Sequence, residues 1–138
     1  MTKREAYDFI RTRELAVMAS VNGGNSPQAA VVAIAVTPEL ELIFDTVRSS
    51  RKYPNLKANP RIAFVIGWDD ERTLQYEGEA HEPQGEELRR CQEIYFARYP
   101  DGRERLKWPG IVYLHVRPLW IRYSDFNSSS RGIGEVAL

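Results

Sequence analysis

The chain has 138 residues, 43% of them hydrophobic, which suits one packed domain. Its 19 Lys and Arg balance 19 Asp and Glu, so bulk charge cannot hold a nucleic acid or a membrane surface. A single cysteine, Cys91, excludes an internal disulfide; no apolar run is long enough to span a bilayer, and the first residues lack a signal-peptide core, so a cytoplasmic protein is expected.

Along the chain, Lys3 to Thr12 reads as a helix with Ala6, Phe9 and Ile10 on one face, and Leu15 to Val21 as a strand. Asn22 to Pro27 is a turn. Ala29 to Val36 is apolar on both faces and β-branched, which favours a central strand. Leu40, Leu42, Phe44 and Thr46 alternate as a third strand, followed by a short helix from Ser50 to Ala58 that carries Pro54 near its start. Ile62 to Ile66 and Thr73 to His81 are the next strands, the latter with Leu74, Tyr76, Gly78 and Ala80 on one face. A helix from Gln84 to Tyr99 presents Leu88, Cys91, Tyr95 and Tyr99 as a stripe. The last strand runs from Ile111 to Phe126 with a bend at Pro118. The domain is expected to span 1–126, with 127–138 as a mobile Ser- and Gly-rich tail. Six short strands with few crossover helices predict a mainly β fold, a closed or split barrel with helices outside.

The richest chemistry lies in Phe44-Asp-Thr-Val-Arg-Ser-Ser-Arg-Lys52. Hydroxyls of Thr46, Ser49 and Ser50 gather where a strand ends, and two cations, Arg51 and Lys52, open a helix. Cations are unfavourable at a helix start, and a bound phosphate would explain them. From spacing alone, a Ser N-cap followed by two solvated cations remains the competing reading. His81 and His115 are far apart in sequence with no Cys or carboxylate at metal-ligand spacing; each reads as structural or exposed, and no metal is expected. Cys91 reads as core.

The stretch also resembles a known family. Thr46, Ser50, Arg51 and Lys52 match the T-x-x-x-S-R-K phosphate pattern of the pyridoxamine 5′-phosphate oxidase-like family. Leu56, Asn59-Pro60, Ala63 and Trp68 keep the pattern that follows, and Arg72 and Glu77-Gly78 match the next strand. The similarity is good from about Leu15 to Ala80. It implies an FMN-binding split barrel, FMN held at a homodimer interface, and the flavin ring along the second strand at Ala30, Val31, Val32 and Ala33. The implied cofactor contacts are these four with Asp45, Thr46, Ser50, Arg51 and Lys52; Thr73 or Gln75 takes the place of the family's fifth-strand amide. Trp120 and Arg122, sharing a strand face, are candidates for contacts from the second subunit, and Phe96 and the late aromatics for the dimer surface. Trp108 and Trp120 are expected to border a substrate pocket.

Departures from the family are equally specific. Ala30 and Ala35 stand where oxidases of pyridoxine phosphate place basic residues, and the C-terminal Arg-x-His segment is replaced by Ser124 to Arg131. The flavin-phosphate site looks retained and the substrate-phosphate site lost. The expected function is an FMN-dependent oxidoreductase acting on an unidentified small molecule, with no catalytic side chain assigned. The alternatives are a flavin-binding stress or sensory protein without turnover, or a relative using a deazaflavin or haem.

Overall fold

The computed structural model describes residues 1–127 and 132–138. The described elements are α1 (Lys3–Ile10), β1 (Leu15–Val21), β2 (Pro27–Ala33), β3 (Ala35–Val36), β4 (Leu42–Val47), α2 (Lys52–Ala58), β5 (Arg61–Ile66), β6 (Arg72–His81), α3 (Gly85–Arg98), a 3₁₀ segment (Pro100–Lys107), β7 (Ile111–Asp125) and β8 (Gly132–Glu135). The strands form one antiparallel sheet in the order β2-β1-β5-β6-β7-β4-β3, with β8 paired to β7. Its two ends, β2 and β3, are consecutive in the chain. Only Ile34 separates them, so the sheet must curl until its ends meet. β2 and β4 approach each other without pairing, which leaves the barrel split. The expected mainly β barrel with outer helices is therefore what the chain forms.

Alternation explains the inside. Ala16, Met18 and Ser20 of β1, Ile62, Phe64 and Ile66 of β5, and Leu74, Tyr76 and Ala80 of β6 all turn inward and are buried. Phe44, Phe64 and Tyr76 meet edge to face, and the buried Tyr76 hydroxyl donates to the Leu40 carbonyl at 2.8 Å. A second, smaller core lies under α3, where Cys91, Tyr95 and Phe96 pack on Ala35, Ile43 and Tyr113. Phe96 is thus a core residue edge-on to Tyr113, not the dimer contact its off-stripe position suggested.

Four local expectations are revised. The apolar run from Ala29 to Val36 is not a central strand: it breaks at Ile34 into β2 and β3, the two edge strands of the sheet. The Tyr99 hydroxyl donates to the Ile34 carbonyl at 2.6 Å and fastens that corner to the end of α3. Leu40 is not in a strand but in a turn at φ 67°, buried under the core. The bend at Pro118 is a bulge: Gly78 faces Pro118 while Glu77 faces Trp120, so Leu119 is extra. Beyond residue 126, β8 pairs with β7 from Arg122 to Asp125, and Val136 is buried in the main core. Of the expected mobile tail, 128–131 lie outside the described residues.

Candidate functional site

β1, β2 and α2 meet at a cleft of about 100 Å³ lined by Met18, Ser20, Gln28, Ala29, Ala30, Arg51 and Lys52. Asn55, buried on the inner side of α2, ties the three elements together: its Nδ2 donates to Ser20 Oγ at 3.1 Å and to Gln28 Oε1 at 2.9 Å. The turn before α2 is closed by Ser50 N–H to the Val47 carbonyl, and Thr46 Oγ1 donates to Ser50 Oγ at 3.0 Å. Ser50 is therefore not the helix N-cap. Arg51 occupies that position with no side-chain cap, so the cations stand at a helix start without a side-chain cap.

Their electrostatics distinguish them from the cations around them. Arg48 and Lys57 both pair with Glu82, which also accepts from the Tyr53 hydroxyl. In the larger cleft, about 420 Å³, beside Trp68, Asp70 accepts from Arg13 at 2.8 Å and from Arg72 at 2.6 Å. Arg51 and Lys52 have no carboxylate partner among the described residues. Partial burial alone pulls the Lys52 ammonium below its ordinary value. An anion between the two would restore what desolvation removes. The guanidinium and ammonium of the lining fit a phosphate, and the Thr46–Ser50 hydroxyl pair stands in the chain just before them. The cleft's volume suits a phosphate and the chain leading from it, and is too small for a flavin ring, since ligand-sized pockets run from about 300 Å³ upward.

Several of the remaining candidates sit on the outer face of the sheet. Register aligns Val31, Val17, Val65, Gln75 and Arg122 in one row, and Ala29, Ala19, Ala63, Glu77 and Trp120 in the next. A shallow cavity of about 260 Å³ lies across these rows, with Gln75 and Trp120 in its lining. Val31 is 60% exposed and Val65 40%. Thr73 lies on the same face of β6, and its buried Oγ1 has no hydrogen-bond partner. In one chain, then, Ala30, Arg51 and Lys52 line one cavity, and Gln75 and Trp120 another. Val32 points into the barrel and is buried.

Asp45 belongs to neither group. It faces α3, where it accepts from Arg105 Nε at 2.7 Å and from the Tyr95 hydroxyl at 3.2 Å. Trp108 is exposed beneath the Arg105 guanidinium and is not among the residues lining the cavity of Trp120. Ala35 is buried under α3. Sequence reasoning missed Ser20, Gln28 and Asn55. The signal was available for Ser20 and Gln28, polar residues at inward positions of strands whose other inward residues are apolar.

Comparison with known proteins bears on the family and the fold. The family model described as pyridoxamine 5′-phosphate oxidase matches residues 2–125. A pyridoxine/pyridoxamine 5′-phosphate oxidase of Rubrobacter xylanophilus is 31% identical over 93 residues, 67% of this chain and 41% of that protein. The chain thus spans under half the length of that curated relative. Among solved structures, a heme binding protein from Mycobacterium smegmatis superposes with a TM-score of 0.83 at 13% identity, over 96% of this chain and 56% of that one. General Stress Protein 26 from Bacillus anthracis does so at 0.71 and 22%, over 88% and 92%. These two likenesses show the fold. No helix among the described residues is long and apolar enough to cross a membrane. With the family model matching residues 2–125, this chain belongs to the pyridoxamine 5′-phosphate oxidase family.

Proposed function

We propose that this protein is a cytoplasmic homodimer that holds FMN and uses it as an oxidoreductase on a small molecule. The observation that carries the reading is the pair Arg51 and Lys52, cations with no carboxylate partner among the described residues, in a cleft sized for a phosphate. FMN, when bound, supplies the electron acceptor. Arg51 and Lys52 would neutralise its phosphate, while the Thr46–Ser50 bond holds both hydroxyls beside it. Gln75, Thr73, Trp120 and Arg122 would border the ring. Because the two residue groups line different cavities in one chain, a single FMN that touches both needs a second copy to bring the outer face of β6 and β7 to the cleft of its partner. The apolar rows through Val31 and Val65 suit burial against that copy. In this reading the chain's contribution is binding, orientation and exclusion of water.

Pyridoxine and pyridoxamine 5′-phosphate are poor substrates in this reading. Ala30 puts a methyl where the oxidases carry a basic residue, and Ala35 is buried, so neither can hold a substrate phosphate. A steady-state assay for pyridoxal phosphate should show turnover far below the ~10 s⁻¹ typical of enzymes. Anaerobic addition of reduced nicotinamide cofactors, followed by the loss of flavin absorbance, tests for an enzyme. Flavin that no donor bleaches would favour a binding protein without turnover. The haem of the Mycobacterium smegmatis protein is not carried over, because at 13% identity the likeness is one of fold.

A further inference from the structure

The register of β6 and β7 sets His81 directly opposite His115, with ring centroids 4.9 Å apart. Glu87, in the first turn of α3, reaches both. Its Oε1 lies 2.9 Å from His81 Nε2 and its Oε2 lies 3.5 Å from His115 Nδ1. The three donor groups fall within 4.8 Å of one another. Behind the His115 ring, Glu41 Oε1 stands 3.2 Å from Nε2.

His115 is only 5% exposed, and its buried Nδ1 has no hydrogen-bond partner. Such a nitrogen calls for an explanation. The Glu41 carboxylate favours the proton on Nε2, which leaves the Nδ1 lone pair facing Glu87. Glu87 is ionised: the hydrogen bond with His81 holds it below the ordinary carboxylate value. A lone pair and an anionic oxygen then face each other at 3.5 Å, and a positive charge between them would turn repulsion into binding.

We propose that His81 Nε2, His115 Nδ1 and the Glu87 carboxylate bind one divalent transition-metal cation of the zinc class, with Glu41 fixing the His115 tautomer. Two imidazole nitrogens and a carboxylate are a borderline donor set suited to such an ion. A carboxylate behind a ligating histidine is the usual outer partner. Tetrahedral bonds of about 2.0–2.1 Å set donors roughly 3.4 Å apart, against the 2.9 and 3.5 Å from Glu87 to the two rings and 4.8 Å as the bound on the whole group. His81 and Glu87 are 49% and 37% exposed, so the ion enters from solvent and the ligands can adjust. Two carboxylates, Glu41 and Glu87, face the pair of rings, with the exposed Arg90 acting on Glu87 from the same helix. Cys91, one turn further along α3, is buried, and its Sγ falls outside this cluster of donor groups. On binding, His81 gives up any Nε2 proton to solvent.

The test is titration of the chelator-treated full chain with zinc sulfate by calorimetry, repeated with Co²⁺ and its visible absorption. One zinc per chain is expected, with a cobalt spectrum typical of low coordination. His81→Ala and Glu87→Gln, both at solvent-facing positions, should abolish binding while circular dichroism stays unchanged. Glu41→Gln should weaken it about 10–100-fold, and Cys91→Ser should retain it. Wild-type protein that takes up no zinc at millimolar metal would overturn the proposal. So would His81→Ala binding as well as wild type, or uptake that follows Cys91 instead. A His115 ring that NMR finds doubly protonated at neutral pH, with no zinc uptake, would make the cluster an ion-pair network.

Discussion

Arg51 is where one side chain decides most. Removing one cation of a desolvated charge pair costs about 2–5 kcal/mol, which at roughly 1.4 kcal/mol per decade is a loss of about thirty-fold or more in FMN affinity. Without cofactor, Arg51 is an exposed residue at an uncapped helix start, so Arg51→Ala should change stability by about 0.5 kcal/mol or less. Arg61→Ala is the control, since Arg61 is also exposed but faces Glu77 on another strand. Fluorescence titration of the apoprotein with FMN, beside thermal melts, separates the two effects. Equal affinity of the two variants would make Arg51 a solvated cation. The cluster was legible in the sequence because its residues are consecutive, and consecutive residues around a turn stay together. Asp45 parts from the cluster for the opposite reason: adjacent residues of a strand face opposite ways, so Thr46 turns to Ser50 and Asp45 to Arg105 under α3. The histidine cluster was illegible because His81 and His115 meet only through strand register.

At the scale of elements, existence and type followed from periodicity, and the exceptions have local causes. The run from Ala29 to Val36 carries no turn residue, so nothing in its composition marks the corner at Ile34. The corner is imposed from outside by the Tyr99 hydroxyl and by the Ile34 N–H donating to the Glu14 carbonyl. The bulge opposite Gly78 changes which β7 residues face inward: Val112, Leu114 and Val116 before it, Ile121 and Tyr123 after it. Strict alternation through the bend would have turned Trp120 into the barrel. Instead Trp120 and Arg122 share the outer face, as their two-residue spacing required. Gly78 allows this close approach, because a Cβ there would sit 2.5 Å from the Arg117 carbonyl oxygen and 2.9 Å from Val116 Cγ1. Gly78→Ala should therefore destabilise the barrel by about 1–3 kcal/mol, read as a lowered melting temperature. An unchanged melting temperature would mean that the bulge absorbs a methyl freely.

For the whole molecule, one chain closes its core but leaves an apolar outer face with Leu15, Val31 and Val65 exposed. An exposed apolar face of this kind invites a partner. Sedimentation at micromolar concentration should give twice the chain mass. Val31→Asp, which changes a 60% exposed residue, should yield folded monomers that bind FMN weakly. A dimer that survives Val31→Asp unchanged would place the contact elsewhere. Nothing in the sequence could mark this face as apolar in aggregate, since its residues come from β1, β2, β5, β6 and β7 and gather only when the sheet forms.

The most direct measurement is the identity of the small molecule that the purified protein holds. Cofactor released by heat and separated by chromatography should be FMN, one per chain, and the emptied protein should rebind FMN in preference to FAD. Recovery of FAD, a deazaflavin or haem as the tight ligand, or an apoprotein with no affinity for FMN, would contradict the assignment of Arg51 and Lys52 to a flavin phosphate.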